Sequence, residues 1–162
     1  MPLVNDKPDA ELVAELDQVV AWAGQQGGDA GRVGIVGFCR GGRTAWVYCA
    51  HSAQVKAGVA FYGSLVDPET QKSLWPKSPI ELAPEMNAPV LGLYGGADQG
   101  IKPEQVGTMK AALKAAGKTA EFKIYPDAPH AFHADYRPSY RKDAAEAAWA
   151  EMQAWFRTYN VL

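Results

Sequence analysis

Three side chains of this chain have the types and spacing for nucleophilic chemistry. The first is Cys39, in the run Val33-Gly-Ile-Val-Gly-Phe-Cys-Arg-Gly-Gly42. An apolar stretch ends at the cysteine, glycines follow at once, and Thr44 to Ala50 has the character of a helix. Strand, sharp turn and helix in that order form a nucleophile elbow, here with sulfur as the attacking atom. Gly37 and Gly41 stand two residues either side of Cys39, where a side chain is expected to crowd the turn. A cysteine at a helix N-terminus meets partial positive charge, which favours the thiolate. A free cysteine at a strand end is also often a small buried hydrophobe. The flanking glycines and the helix behind them favour chemistry here. The second side chain is Asp98, in Gly95-Gly-Ala-Asp98, and the third is His130, in Pro126-Asp-Ala-Pro-His-Ala-Phe-His133. Taken singly, Asp98 reads as a turn residue beside glycines, and His130 as a loop histidine after proline. Their order along the chain gives them a joint meaning. His133 competes with His130 for the role of base.

The elements that must position these groups alternate between strand and helix. Asp9 to Ala23 repeats Leu12, Val13, Leu16, Val19, Val20 and Ala23 at helical spacing. Arg32 to Phe38 is apolar without alternation, as expected of a parallel strand covered on both faces. Gly42 to His51 is the helix behind the elbow. Lys56 to Tyr62 and Pro89 to Tyr94 are two further buried strands, and Thr119 to Tyr125 is a fourth that alternates more. Lys102 to Ala116 is a helix with Val106, Met109 and Leu113 inward and Gly117 as its stop. Ser139 to Thr158 closes the chain as a helix with Ala145, Trp149, Met152 and Phe156 on one stripe. This pattern predicts an α/β fold of about four parallel strands flanked by helices. The long connection Gly63 to Ala88, rich in proline, is read as a functional loop with a short helix around Pro68 to Leu74. Trp75 within it is a candidate pocket residue or a packing residue. Cys39, Asp98 and His130 each follow a strand, so all three are expected at the C-terminal rim of the sheet.

Nucleophile, acid and histidine in that chain order is the order of an α/β-hydrolase triad. The sequence resembles the dienelactone hydrolases (carboxymethylenebutenolidase-like), a cysteine branch of that superfamily. The stretches that carry the resemblance are Gly37-Phe-Cys-Arg-Gly-Gly42, Phe61-Tyr-Gly63, Pro89-Val-Leu-Gly-Leu-Tyr-Gly-Gly-Ala-Asp98 and Pro129-His-Ala-Phe132. The resemblance implies Cys39 as nucleophile, His130 as base and Asp98 as the group that orients it. It also implies a small ester or lactone substrate and no cofactor or metal. The Arg40 backbone N–H is expected to serve the oxyanion; the Arg40 and Arg137 side chains are candidates to meet a substrate carboxylate, although such arginines are more often solvated or paired on the surface. The chain departs from the family at its beginning. Several family strands precede the elbow strand, whereas only one helix does so here. Residues 1–162 therefore read as one N-terminally truncated domain, the C-terminal portion of an α/β-hydrolase fold. The second oxyanion donor and an early glutamate of the family have no counterpart. The elbow strand then keeps a free edge, which predicts a homo-oligomer formed through it.

Composition narrows the alternatives. Hydrophobic residues make up 48% of the 162 and charged residues 21%, an ordinary globular balance that can build one core. The net charge of −2 gives no electrostatic case for nucleic acid. No apolar run is long enough to span a bilayer, and Met1 to Asp9 lacks a leader pattern. Two cysteines, Cys39 and Cys49, on one strand-turn-helix unit do not make a disulfide framework, and a reducing cytoplasmic setting is expected. Glutaminases that share G-x-C-x-G place an acid two residues after their histidine, where this chain has Phe132. A remnant that keeps the fold but only binds or assembles is the remaining alternative to an enzyme.

Overall fold

The apolar runs form four strands in the computed structural model, which describes residues 6–162. They are β1 (Val33–Phe38), β2 (Val55–Phe61), β3 (Val90–Gly95) and β4 (Ala120–Tyr125). All neighbours pair in parallel, in the order β1-β2-β3-β4. Phe38, Phe61, Leu93 and Lys123 make one row across the sheet. That register brings the loops after all four strands to one rim. Residues 1–5 of the N-terminal segment read above for a leader lie outside the described residues.

Alternate residues of the central strands point to opposite faces. Val90 and Tyr94 join the core under α1 (Asp9–Gln25), α2 (Arg40–His51) and α3 (Pro103–Ala115). Val59, Phe61, Leu91 and Leu93 instead pack with Met152, Trp155 and Phe156 of α4 (Lys142–Thr158). Full burial of side chains of this size contributes about 1.5–3 kcal/mol each before entropy is counted. Val106, Met109 and Leu113 form the inner face of α3, as their spacing predicts.

Several expectations need correction. β1 is not covered on both faces: Val36 is 42% and Phe38 38% exposed. Its place at the edge of the sheet is the expected one, but α4 reaches across β2 and β3 instead of covering it. The buried seam of α4 runs through Ala145, Ala148, Met152, Trp155 and Phe156, while Trp149 is 44% exposed. That seam has the 3.6-residue period of a helix, and Trp149 lies beside it. Helix α4 starts at Lys142 rather than Ser139, and α2 already at Arg40. The connection from Gly63 to Ala88 holds two single 3-10 turns, Glu69–Gln71 and Ala83–Glu85, instead of one helix. In α1, Val13, Leu16 and Val20 pack on the core, but Val19 is exposed.

Candidate active site

Cys39 occupies the turn between β1 and α2 with φ 54° and ψ −115°. A residue with a side chain is held there at a cost of about 1–3 kcal/mol, so the surroundings must enforce it. The Cys39 N–H donates to the Phe61 carbonyl at 3.0 Å, and the Arg43 N–H to the Cys39 carbonyl at 3.1 Å. The turn is also sterically closed. A Cβ on Gly37 would stand 1.9 Å from the Gly41 carbonyl oxygen, and one on Gly42 2.6 Å from the Phe61 carbonyl oxygen. Gly41 itself has open space around its own Cβ position. The expected crowding therefore holds for Gly37 but not for Gly41, which contributes its carbonyl to the contact.

The loops after β3 and β4 are laced together. The Gly96 N–H donates to the Tyr125 carbonyl at 2.7 Å, and the Ala97 N–H to the Ala128 carbonyl at 3.1 Å. This lacing sets Asp98 against His130. Asp98 is buried, and its Oδ1 accepts from the N–H groups of Gly100 at 2.8 Å and Ile101 at 3.1 Å. Its Oδ2 accepts from His130 Nδ1–H at 2.7 Å. On the other side of the ring, His130 Nε2 lies 3.3 Å from Cys39 Sγ. Three groups far apart in sequence thus form one hydrogen-bonded line. His133 is elsewhere, its ring 5.3 Å from Phe38, 5.1 Å from Phe61 and 5.7 Å from Trp149.

The line sets the charges. Hydrogen bonds to Asp98 and then to Cys39 push the His130 imidazole up to about 9, against the effect of burial. The same bond to His130 holds the Cys39 thiol below its ordinary value despite burial, with help from the Arg40 N–H at the helix start. Burial pushes the Asp98 carboxyl up, but His130 and the two backbone donors together outweigh it and leave it low. The shared hydrogen bond therefore shifts sulfur toward the thiolate and the imidazole toward the imidazolium. Cys49 is free and buried, and burial alone pushes its thiol far up.

A cavity of about 600 Å³ opens on this line, with Cys39, Arg40, Tyr62, Trp75 and His130 in its wall. Tyr62, with φ 38°, sets its ring 5.1 Å from His130, edge to face. Trp75 is buried and carries two guanidiniums: Arg40 lies 4.2 Å and Arg43 4.5 Å from its ring centre. Arg137 is exposed and lies over Tyr136. Among the described residues, no three His, Cys, Asp or Glu side chains gather as metal ligands. Sequence reasoning did not single out Tyr62, Arg43, Asp9 or Asp67. Tyr62 lies in the Phe61-Tyr-Gly63 stretch, and Arg43 follows Cys39 by one turn, but neither position alone marks a role.

Comparison with known proteins gives a consistent picture. The family model described as "Dienelactone hydrolase family" matches residues 1–160. The Methylorubrum extorquens protein named "Putative carboxymethylenebutenolidase" is 53% identical over 160 residues, which are 98% of this chain and 54% of that protein. A Bradyrhizobium protein named "Probable 2-oxo-3-(5-oxofuran-2-ylidene)propanoate lactonase" is 31% identical over 147 residues, 90% of this chain and 58% of its own length. A crystal structure of the Klebsiella pneumoniae protein described as "Putative Dienelactone Hydrolase" superposes with a TM-score of 0.90 at 51% identity. It covers 94% of this chain and 62% of that one. The chain thus spans little more than half the length of the curated relatives it matches.

Proposed function

Since the chain belongs to the dienelactone hydrolase family, we propose that it is a thiol-dependent hydrolase of ester or lactone bonds, working through Cys39, Asp98 and His130. The observation that carries this reading is the unbroken line from Asp98 Oδ2 through His130 to Cys39 Sγ, with contacts of 2.7 and 3.3 Å. The Cys39 thiolate adds to the carbonyl carbon, and the oxygen takes the negative charge. The Arg40 N–H, at the start of α2 beside the sulfur, donates to that oxyanion. Collapse breaks the bond to the leaving oxygen, which takes the proton from His130 Nε2. In a lactone that oxygen stays tethered to the acyl group. Neutral His130 then takes a proton from water, the hydroxide adds to the thioester, and the thiolate leaves as the acid forms. Asp98 keeps the Nδ1 proton in place throughout.

Two free thiols suit a reducing cytoplasm. Among the described residues, no helix is long and apolar enough to cross a membrane. For a partner we place a second copy at β1. Among the described residues one side of that strand has no partner, and its Val36 and Phe38 side chains are exposed. Sedimentation should give a dimer, and a monomer at 100 μM would remove this assignment. The free edge also favours the second reading, a module that only assembles. Steady-state hydrolysis of p-nitrophenyl acetate and of a γ-lactone separates the two. The hydrolase reading requires turnover that Cys39→Ala and His130→Ala both abolish. Equal turnover in the variants, or none in any protein, favours the module.

A further inference from the structure

Four charged side chains line up beside the triad, and no step of the reaction above uses them together. Arg43 reaches down from the first turn of α2, its side chain 1% exposed. Its Nη1 and Nη2 donate to the two oxygens of Asp9 at 2.7 and 2.9 Å. Its Nε donates to the Asp67 carboxylate at 2.8 Å. One guanidinium therefore faces two carboxylates, which leaves one negative charge in surplus. Arg40 supplies the balance. Its Nη2 lies 3.9 Å from Asp9 Oδ1, a distance for charges to interact but not for a hydrogen bond. Its Nε and Nη1 have no hydrogen-bond partner among the described residues. Arg40 and Arg43 both line the cavity that holds Cys39, and Arg40, at 18% against 1%, is the more exposed of the two. Two cations and two anions sum to zero. The anion that completes the sum, Asp9, sits at the start of α1, a helix with no residue in the triad.

We propose that Asp9 is a specificity-determining residue: its carboxylate, shared between Arg43 and Arg40, cancels the charge of the wall beside Cys39. Neutral and anionic carbonyl compounds then meet the thiolate on similar terms. Removing that one negative charge leaves the wall with a net positive charge centred on Arg40. Because the wall is only partly exposed, its field is screened less than that of a surface charge. The inference deepens the hydrolase reading. It rests on Cys39 being the reactive thiolate and not on acyl transfer.

Iodoacetate and iodoacetamide test it directly. The thiolate displaces iodide from each in the same way, and the reagents differ by one negative charge. Their rate ratio within one protein cancels any change in thiolate fraction or in folded population. In Asp9→Asn the iodoacetate-to-iodoacetamide ratio should rise about three- to ten-fold at low salt and return toward the wild-type value as salt is added. In Arg40→Gln, which keeps both Arg43 pairs, the ratio should fall by a similar factor. Peptide mapping reads the label at Cys39, apart from buried Cys49. A ratio within twofold of wild type in either folded variant overturns the inference. If Asp9→Asn does not fold, the Arg40→Gln ratio decides alone. Absence of label at Cys39 in the wild-type protein overturns the thiolate reading, and this inference falls with it.

Discussion

Replacing Asp98 by asparagine probes the triad with almost no change of volume. The two oxygens of Asp98 have separate duties. Oδ1 accepts from the Gly100 and Ile101 N–H groups, and Oδ2 accepts from His130 Nδ1. An amide has one oxygen, and the two backbone donors claim it. The NH₂ group must then face Nδ1, which forces the imidazole proton onto Nε2, the wrong tautomer for taking a proton from sulfur. The substitution also removes the group that does most to raise His130 to about 9. With the imidazolium lost, Cys39 returns toward the ordinary thiol value near 8.5, where only about 3% is thiolate at pH 7. That alone slows alkylation at pH 7, by about 30-fold at most. Acylation also needs the proton on Nε2 delivered to the leaving oxygen and a base for the water, so turnover should fall about 10³-fold or more. Iodoacetamide alkylation from pH 5 to 10 measures the first effect, and p-nitrophenyl acetate turnover the second. Should the Asp98→Asn protein alkylate at the wild-type rate at pH 7 with an unchanged midpoint, the inferred coupling of carboxylate, imidazole and sulfur is refuted.

Other consequences can be checked as simply. Gly37→Ala puts a methyl group 1.9 Å from a backbone oxygen and should cost about 3 kcal/mol or more. Gly41→Ala meets nothing and should stay within about 1 kcal/mol of wild type, on the stabilising side, in the same urea titration. His133→Ala should change Cys39 alkylation by less than about threefold, because its ring packs among Phe38, Phe61 and Trp149 and not in the triad. With Cys39 held low and His130 raised to about 9, acylation should climb through the thiol midpoint as pH rises. It should then level off and decline above about pH 9, when His130 loses the proton it gives to the leaving oxygen. A rate that keeps rising to pH 10.5 contradicts that assignment.

The candidate site is legible in the sequence because the three residues that meet in space each follow a segment that reads as a strand. Once Val33 to Phe38, Pro89 to Tyr94 and Thr119 to Tyr125 are read as parallel strands, Cys39, Asp98 and His130 must share a rim. The choice of His130 over His133 rests on two residues of loop, and the orientation of that loop is a tertiary matter. The free edge of β1 was legible, but the exposure of its Val36 and Phe38 side chains was not. An unbroken apolar run looks the same at the centre of a sheet and at an edge that a neighbour covers. Trp149 illustrates the same limit, since an aromatic on a helix stripe reads as core whether or not anything lies over it. The charged wall was invisible for another reason. Asp9, Arg43 and Asp67 are separated by 34 and 24 residues, and each alone looks like a solvated side chain. Asp9 in particular reads as an ordinary acid in the first turn of a helix. Burial makes it specific, and burial is set by how α1 and the Gly63 to Ala88 connection close over Trp75.

Everything turns on whether an acyl group is transferred to one sulfur atom. Brief exposure to p-nitrophenyl acetate, an acid quench and mass spectrometry of the peptides would answer that. The account predicts a single acetyl thioester on Cys39 that decays over time at neutral pH and is absent in Cys39→Ala. An unmodified Cys39, or an acetyl group that persists on the Cys39→Ala protein in equal yield, would contradict it.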